Sequence, residues 1–195
     1  MPLGLEFYQR KNVTKIAREL LGKTLYTNIN GMVTAGMIVE TEGYSWKERG
    51  CHAYGSRLTP RTSAMFKEGG HAYVYLCYGM HHLFNIVTNV SDVAEAVLVR
   101  ALEPVTGTEE MLKRRGKSVK FNHLTSGPGK LTKSLGIDRR LNGKMLIDHE
   151  IWLDQGEKIP SRLISVSERV GIDYAGEDAR LPWRFSIKGN SWVSR

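Results

Sequence analysis

What the 195 residues lack narrows the field first. Only two cysteines occur, Cys51 and Cys77, with no CxxC pair, and this excludes a disulfide framework. Uninterrupted apolar runs extend over a few residues only, against the ~20 that a membrane-spanning helix requires. The opening MPLGLEFYQRKN has no apolar core of the kind a signal peptide needs. Repeats and low-complexity tracts are missing too, which argues against solenoids and disorder. A reduced, soluble, cytoplasmic protein is the expectation.

What is present is ordinary in bulk and uneven in placement. A composition of 41% apolar and 25% charged residues is that of folded domains. The length suits one domain, residues 1–195, burying roughly 70% of the surface its unfolded chain would expose. The net charge is +8, yet between Met111 and Lys144 stand ten bases (Lys113, Arg114, Arg115, Lys117, Lys120, Lys130, Lys133, Arg139, Arg140, Lys144) against one acid, Asp138. The other 18 bases and 19 acids nearly cancel. A local basic face is the electrostatic footprint of a phosphate-backbone binder; a solvated helical face with no partner is the bland alternative.

The pattern IVETEGY at 38–44 reads as a strand. A period of two puts Ile38, Glu40, Glu42 and Tyr44 on one face, with Val39 and Thr41 on the other. Glutamate is depleted in strands and rarely buried alone, so two on one face imply a solvated edge, a cation or a working site.

Along the rest of the chain, NVTKIARELLG (12–22) predicts a short amphipathic helix capped by Asn12 and closed by Gly22. LTPRTSAMF (58–66) predicts another, with Thr59 as cap and Pro60 first in the helix. HAYVYLCYGM (71–80) and FNIVTNV (84–90) form a hairpin about Gly79, AEAVLVRALEP (94–104) continues as an apolar strand bearing Arg100, residues 108–144 turn helical, and 182–193 return to strand. Without regular strand-helix alternation, the fold class is α+β: a curved, mostly antiparallel sheet with a protruding hairpin and short surrounding helices.

Three constellations could carry chemistry. Cys51, His52, His71, His81, His82, Glu40 and Glu42 have no metal-ligand spacing, and the expectation is no metal and no cofactor. SGPGKL (126–131) is not a Walker sequence, but a glycine-rich turn entering a helix offers backbone N–H groups to an anion, with Lys130 and Lys133 beside it; an ordinary loop and helix start is equally open. Among Tyr73, Tyr75 and Tyr78, the first two share a face with Cys77. Tyr78 falls at the turn, where it has little core to pack against and suits a wedge between base steps.

These pieces occur together in one known pattern. IVETEGY, TPR at 59–61 with Met65 and Phe66, YVYLCYGM at 73–80, Asn85, VLVRALEP at 97–104, SGPGKL, RVGI with YAGEDARLPWRF at 169–185 and WVS at 192–194 resemble, in order and spacing, the alkyladenine (3-methyladenine) DNA glycosylases of the alkylpurine type. The resemblance implies a monofunctional base-excision enzyme that flips a damaged purine from double-stranded DNA and hydrolyses its N-glycosidic bond, with no membrane and no obligate protein partner. It makes Glu42 the general base, Arg100 and the backbone carbonyl of Ile172 the holders of the attacking water, and Tyr44, His52 and Tyr75 the pocket for the flipped base. Asn85 would exclude a guanine amino group, Tyr78 would intercalate, and Gly129, Lys130 and Lys133 would meet the DNA backbone. Glu40 is left a role in solvation or support, with tuning of Glu42 a further option. A cationic lesion such as 3-methyladenine should also gain a cation–π preference from aromatic walls. Two further readings remain at this level: a non-catalytic module for distorted duplex, and a glycosylase with lyase activity, which would need an amine nucleophile.

Overall fold

A computed structural model describes residues 2–116 and 118–194. Its centre is an antiparallel sheet of eight strands: β1 (Thr24–Ile29), β2 (Met32–Ser45), β3 (Ala72–Cys77), β4 (His81–Thr88), β5 (Glu95–Thr106), β6 (Ile151–Asp154), β7 (Ile164–Ser167) and β8 (Arg184–Ile187). The main path runs β3-β4-β5-β2-β1-β6, while β8 also pairs with β2 and carries β7 on its far side. Four short α-helices accompany it, α1 (Leu5–Tyr8), α2 (Val13–Glu19), α3 (Thr108–Arg115) and α4 (Pro128–Leu135), so the architecture is α+β.

The 14-residue β2 organises the sheet because it is long enough to serve two neighbours along one edge. Met32–Met37 pair with β1, whereas Glu40–Glu42 pair with β8, and β5 runs along the other edge. The glutamates therefore lie in the sheet interior and not on a solvated edge. Register across β2 and β5 is the same on both sides of an irregularity at Val39 and Arg100, with Ile38 opposite Leu102 and Thr41 opposite Val99. The two-residue alternation of side chains consequently survives from Ile38 to Tyr44.

Register then fixes what each face holds. Glu42 stands opposite Leu98, Leu98 opposite Asn85 and Asn85 opposite Tyr73. Stepping by twos, Tyr44, Glu42, Arg100, Leu98, Ala96, Asn85, Leu83, Tyr73 and Tyr75 share one face. The intervening Val74, Phe84, Ile86, Val97 and Val99 join the main core with Ile16 and Ala17 of α2, Leu20 just past its end, and Leu131 and Leu135 of α4. Thr41, of the core-side parity, donates its hydroxyl to the Ala17 carbonyl of α2 at 2.8 Å.

Several local expectations can be compared directly. Asn12 caps α2 by accepting the Lys15 N–H at 3.0 Å, and Gly22 takes a left-handed φ of 83° just past its end. The segment after Thr59 is tighter than expected: Thr59 Oγ1 accepts the Thr62 N–H at 3.2 Å, but residues 60–62 form turns and the helix is a 3₁₀ turn at Ser63–Phe66. Cys77 pairs with His81, so Tyr78, Gly79 and Met80 make the hairpin loop, with Tyr78 itself at φ 49° and 87% exposed. The 108–144 region holds α3 and α4 joined by irregular chain.

Candidate active site

The face of β2 to β5 that holds the two glutamates is roofed by loops instead of helices. Segments 46–66 and 169–180, joined to each other by Arg169–Glu48 and by the Tyr174 hydroxyl donating to the Gly50 carbonyl, line a cleft of about 670 Å³ over it. Tyr44, His52, Tyr73, Tyr75, Asn85, Arg100, Ile172 and Tyr174 are among its walls, and the Tyr78 hairpin stands at its margin. Seven residues singled out from the sequence thus converge there: Arg100, Tyr44, His52, Tyr75, Asn85, Ile172 and Tyr78.

Glu42 itself is fully buried just behind this wall. Its Oε1 accepts the Val170 N–H at 2.8 Å, and its Oε2 accepts the Tyr44 hydroxyl at 2.8 Å and the Arg100 Nη1 at 3.3 Å. All three donors line the cleft. A carboxylate offers about four lone-pair sites, so three donors leave one position on Oε1 open to a further donor such as water. Burial raises the Tyr44 hydroxyl well above its ordinary pKa, and Glu42 beside it adds to the shift, so Tyr44 remains a donor.

Glu40 is buried and structural. It accepts Arg100 Nε at 3.0 Å, Arg184 Nε at 2.7 Å, and both the backbone N–H and hydroxyl of Ser194 at 2.7 and 2.9 Å. Solvation, one of the roles left to it by the sequence, is therefore ruled out by burial, and support is what its bonds provide. Burial works against the charge on Arg100, but Glu42 and Glu40 outweigh it and push its pKa up.

The left wall is braced by a pair that sequence reasoning missed. Arg169 and Glu48 form a two-pronged ion pair at 2.7 and 2.8 Å, both side chains essentially buried. Arg169 also donates to the carbonyls of Gly43 and Asp178, each at 3.0 Å, and lies over the rings of Tyr44 and Trp183 at 4.7 and 5.2 Å. Nothing local marks this pair, because its partners are 121 residues apart. The Ile172 carbonyl accepts the Ala175 N–H at 2.8 Å, starting a 3₁₀ segment over Asp173–Arg180, and still has a second lone pair.

Opposite, Tyr73, Tyr75 and His52 form an aromatic cluster, with His52 edge-on to Tyr75 at 4.6 Å between centroids. His52 Nδ1 is 2.9 Å from the Tyr73 hydroxyl, and Nε2 is 3.2 Å from the Arg61 guanidinium. Burial, helped by the Arg61 charge, lowers His52 to a pKa of about 4, so the ring is neutral near pH 7. A guanidinium can only donate, which assigns the acceptor to Nε2 and the proton to Nδ1, facing Tyr73. Burial raises Tyr73 to about 12. Asn85 is turned onto its neighbour strand, its Nδ2 donating to the Tyr73 carbonyl at 3.1 Å. Arg61 was not singled out although it lay in the TPR motif, and Tyr73 was noted in the aromatic set without a pocket role.

The basic stretch is less free than its sequence implies. Arg114 is engaged by Glu110, Thr34 and Ser134, Arg140 by Asp138 and Lys144 by Glu150, while Lys117 lies outside the described residues. Lys130 and the exposed Lys133 sit on α4, whose first turn packs on the hairpin base. A Cβ at Gly129 would come within 2.9 Å of the His81 ring, so glycine there permits the contact. Among the described residues no helix is long and apolar enough to cross a membrane.

Residues 6–191 match the family model described as Methylpurine-DNA glycosylase (MPG). The chain is also similar over its whole length to a protein of Natranaerobius thermophilus, 45% identical over 197 residues and covering 99% of that relative. A Clostridium acetobutylicum protein is 42% identical over 202 residues, spanning the whole chain and 98% of the relative. One from Chlamydia pneumoniae is 45% identical over 183 residues, spanning 93% of this chain and 92% of the other. All three carry the provisional name 3-methyladenine DNA glycosylase. With a match of this extent, the chain belongs to the methylpurine-DNA glycosylase family, hydrolases that act on DNA.

Proposed function

We propose that this protein is a monofunctional glycosylase that flips alkylated or deaminated purines (3-methyladenine, 7-methylguanine, hypoxanthine, ethenoadenine) from duplex DNA and hydrolyses the N-glycosidic bond, leaving an abasic site. The observation that carries the reading is Glu42: a fully buried carboxylate, held by three donors that all line an aromatic cleft. Its open lone pair takes a proton from water as the water oxygen attacks C1′ of the sugar. The electron pair of the broken C–N bond leaves with the purine: a cationic purine departs neutral, and a neutral one departs as its anion and takes up a proton from solvent. Arg100 and the free lone pair of the Ile172 carbonyl hold the same water. General-base assistance contributes about 10²- to 10⁴-fold, and positioning supplies much of the rest.

Tyr44, His52 and Tyr75 stack and bond the flipped base, and Asn85 stands where a guanine amino group would intrude. Stacking returns about 1–3 kcal/mol per base, against a flipping cost of a few kcal/mol. Tyr78 fills the vacated stack; its exposure at the hairpin tip suits a side chain that finds its partner in DNA. Lys130, Lys133 and the N–H groups about Gly129 take backbone phosphates. Among the described residues no lysine lines the cleft, which favours direct hydrolysis over a Schiff-base route.

The test is single-turnover excision from duplexes carrying one hypoxanthine, ethenoadenine or 7-methylguanine, with the wild type and Glu42→Gln compared. Base release lost in the variant with DNA binding retained is the expected result. Tight binding by the wild type without release from any lesion would replace the enzyme with a binding module. Borohydride should trap no covalent adduct.

A further inference from the structure

One charged residue of the cleft stands outside its ion pairs. Glu40 and Glu42 face Arg100 and Arg184, and Glu48 faces Arg169, so three carboxylates meet three guanidinium groups. Arg61 is the remainder. Its guanidinium lines the cleft, lies over the Tyr75 ring at 5.0 Å and reaches His52 Nε2 at 3.2 Å. Among the described residues no carboxylate comes within ion-pair distance of it. The neutral ring of His52 offers it an acceptor and no compensating charge.

The aromatic walls are also already engaged. Tyr75 has Arg61 over its ring and Tyr44 has Arg169 over its ring, at 5.0 and 4.7 Å. A cation draws on the ring's negative face, so less of that attraction is left for a cationic base between the tyrosines. This differs from the simple expectation that aromatic walls favour cationic lesions. A neutral purine loses nothing by it, since stacking depends on area and dispersion more than on net charge.

We propose that Arg61 is a specificity determinant that sets the cleft against cationic alkylpurines and in favour of neutral lesions such as hypoxanthine and ethenoadenine. The inference rests on the glycosylase reading above and adds to it which substrate class the pocket disfavours. Arg61 is exposed on its outer side, so solvent screens its field and the effect is modest. Two unit charges several ångströms apart in a partly screened medium correspond to roughly a three- to tenfold bias.

The experiment measures single-turnover excision of 7-methylguanine and of hypoxanthine from otherwise identical duplexes, at saturating enzyme and fixed salt, for wild type, Arg61→Gln and Arg61→Lys. The intrinsic lability of each lesion is common to all three enzymes and cancels in the comparison. Arg61→Gln is expected to raise the 7-methylguanine to hypoxanthine rate ratio by about three- to tenfold, while Arg61→Lys, which keeps the charge, stays near the wild-type ratio. If Arg61→Gln slows both lesions by one factor, Arg61 is a phosphate contact and the inference falls. If Arg61→Lys shifts the ratio as much as Arg61→Gln, the planar stack matters and charge does not, which also overturns it. A wild type that released neither base would instead sink the glycosylase reading on which it stands.

Discussion

Behind the cleft, Glu40, Glu42 and Glu48 are buried against Arg100, Arg169 and Arg184 at 2.7 to 3.3 Å, whereas at the tip of the β3–β4 hairpin Leu76, Tyr78 and Met80 stand in solvent. One region spends charge where water is absent; the other spends apolar surface where water is abundant. Each arrangement is costly to the isolated protein. Buried ion pairs repay their desolvation only when geometry is good, and a tyrosine at φ 49° carries about 1–3 kcal/mol of backbone strain. The difference lies in when the return comes: the charge cluster is complete within the chain itself, while under the proposed function the hairpin tip would gain its partner on DNA. A preorganised catalytic half and an unsatisfied binding half are what excision of a flipped base calls for.

The strongest way to break this contrast is Glu42→Gln, which should lower the single-turnover rate by about 10²- to 10⁴-fold with little loss of DNA affinity. Glu48→Gln should act on the fold: leaving Arg169 buried without its counter-charge is expected to lower unfolding free energy by about 3–5 kcal/mol in a denaturant titration. A double change adding Arg169→Met should recover part of that, and no recovery would mean the pair matters through something other than its charge. Tyr78→Gly addresses the opposite region. It should weaken binding to lesion duplex by about 1–3 kcal/mol, roughly five- to more than a hundredfold, without lowering the melting temperature, because glycine accepts the positive φ. Equal affinity would remove the wedge role.

The remaining test is on pH. His52 titrates at about 4 in the folded chain against an ordinary 6.5, so the unfolded chain takes up the proton first as pH falls. The stability contributed by neutral His52 is whole above about pH 6.5 and is lost as pH falls through the window down to about 4. The melting-temperature gap between wild type and His52→Gln should therefore narrow from pH 7 to pH 4; parallel curves would contradict it.

Much of this was legible in the sequence wherever the signal is local. The Asn12 cap, the hairpin about Gly79 and the parity of Glu40, Glu42 and Tyr44 all depend on residues a few positions apart, and all appear as expected. The β1–β2 hairpin was legible and overlooked: Asn30 and Gly31, both at positive φ between the paired Ile29 and Met32, are a common two-residue turn signal. The strand expected over 182–193 is present as the shorter β8, whereas the four-residue β6 and β7 are too short for periodicity to distinguish from irregular chain. The partners of the glutamates were not legible at all. Val170 to Glu42 spans 128 positions and Arg169 to Glu48 spans 121, and no pattern within a window reveals which arginine a buried acid will meet.

The Ser194 bonds to Glu40 bear on how the protein is made. They join residues 154 positions apart, so a segment synthesised well after β2 supplies two of the donors that this strand requires. A nascent chain that has emerged only as far as β6 holds Glu40 without Ser194 or Arg184, and Glu42 without the Val170 amide. Burying those carboxylates then is unfavourable, so the sheet centre should stay open to water until the C-terminal strands dock. High contact order of this kind makes closure late and slow, and it ties completion of the buried charge cluster to the docking of β8 and the Ser194 segment.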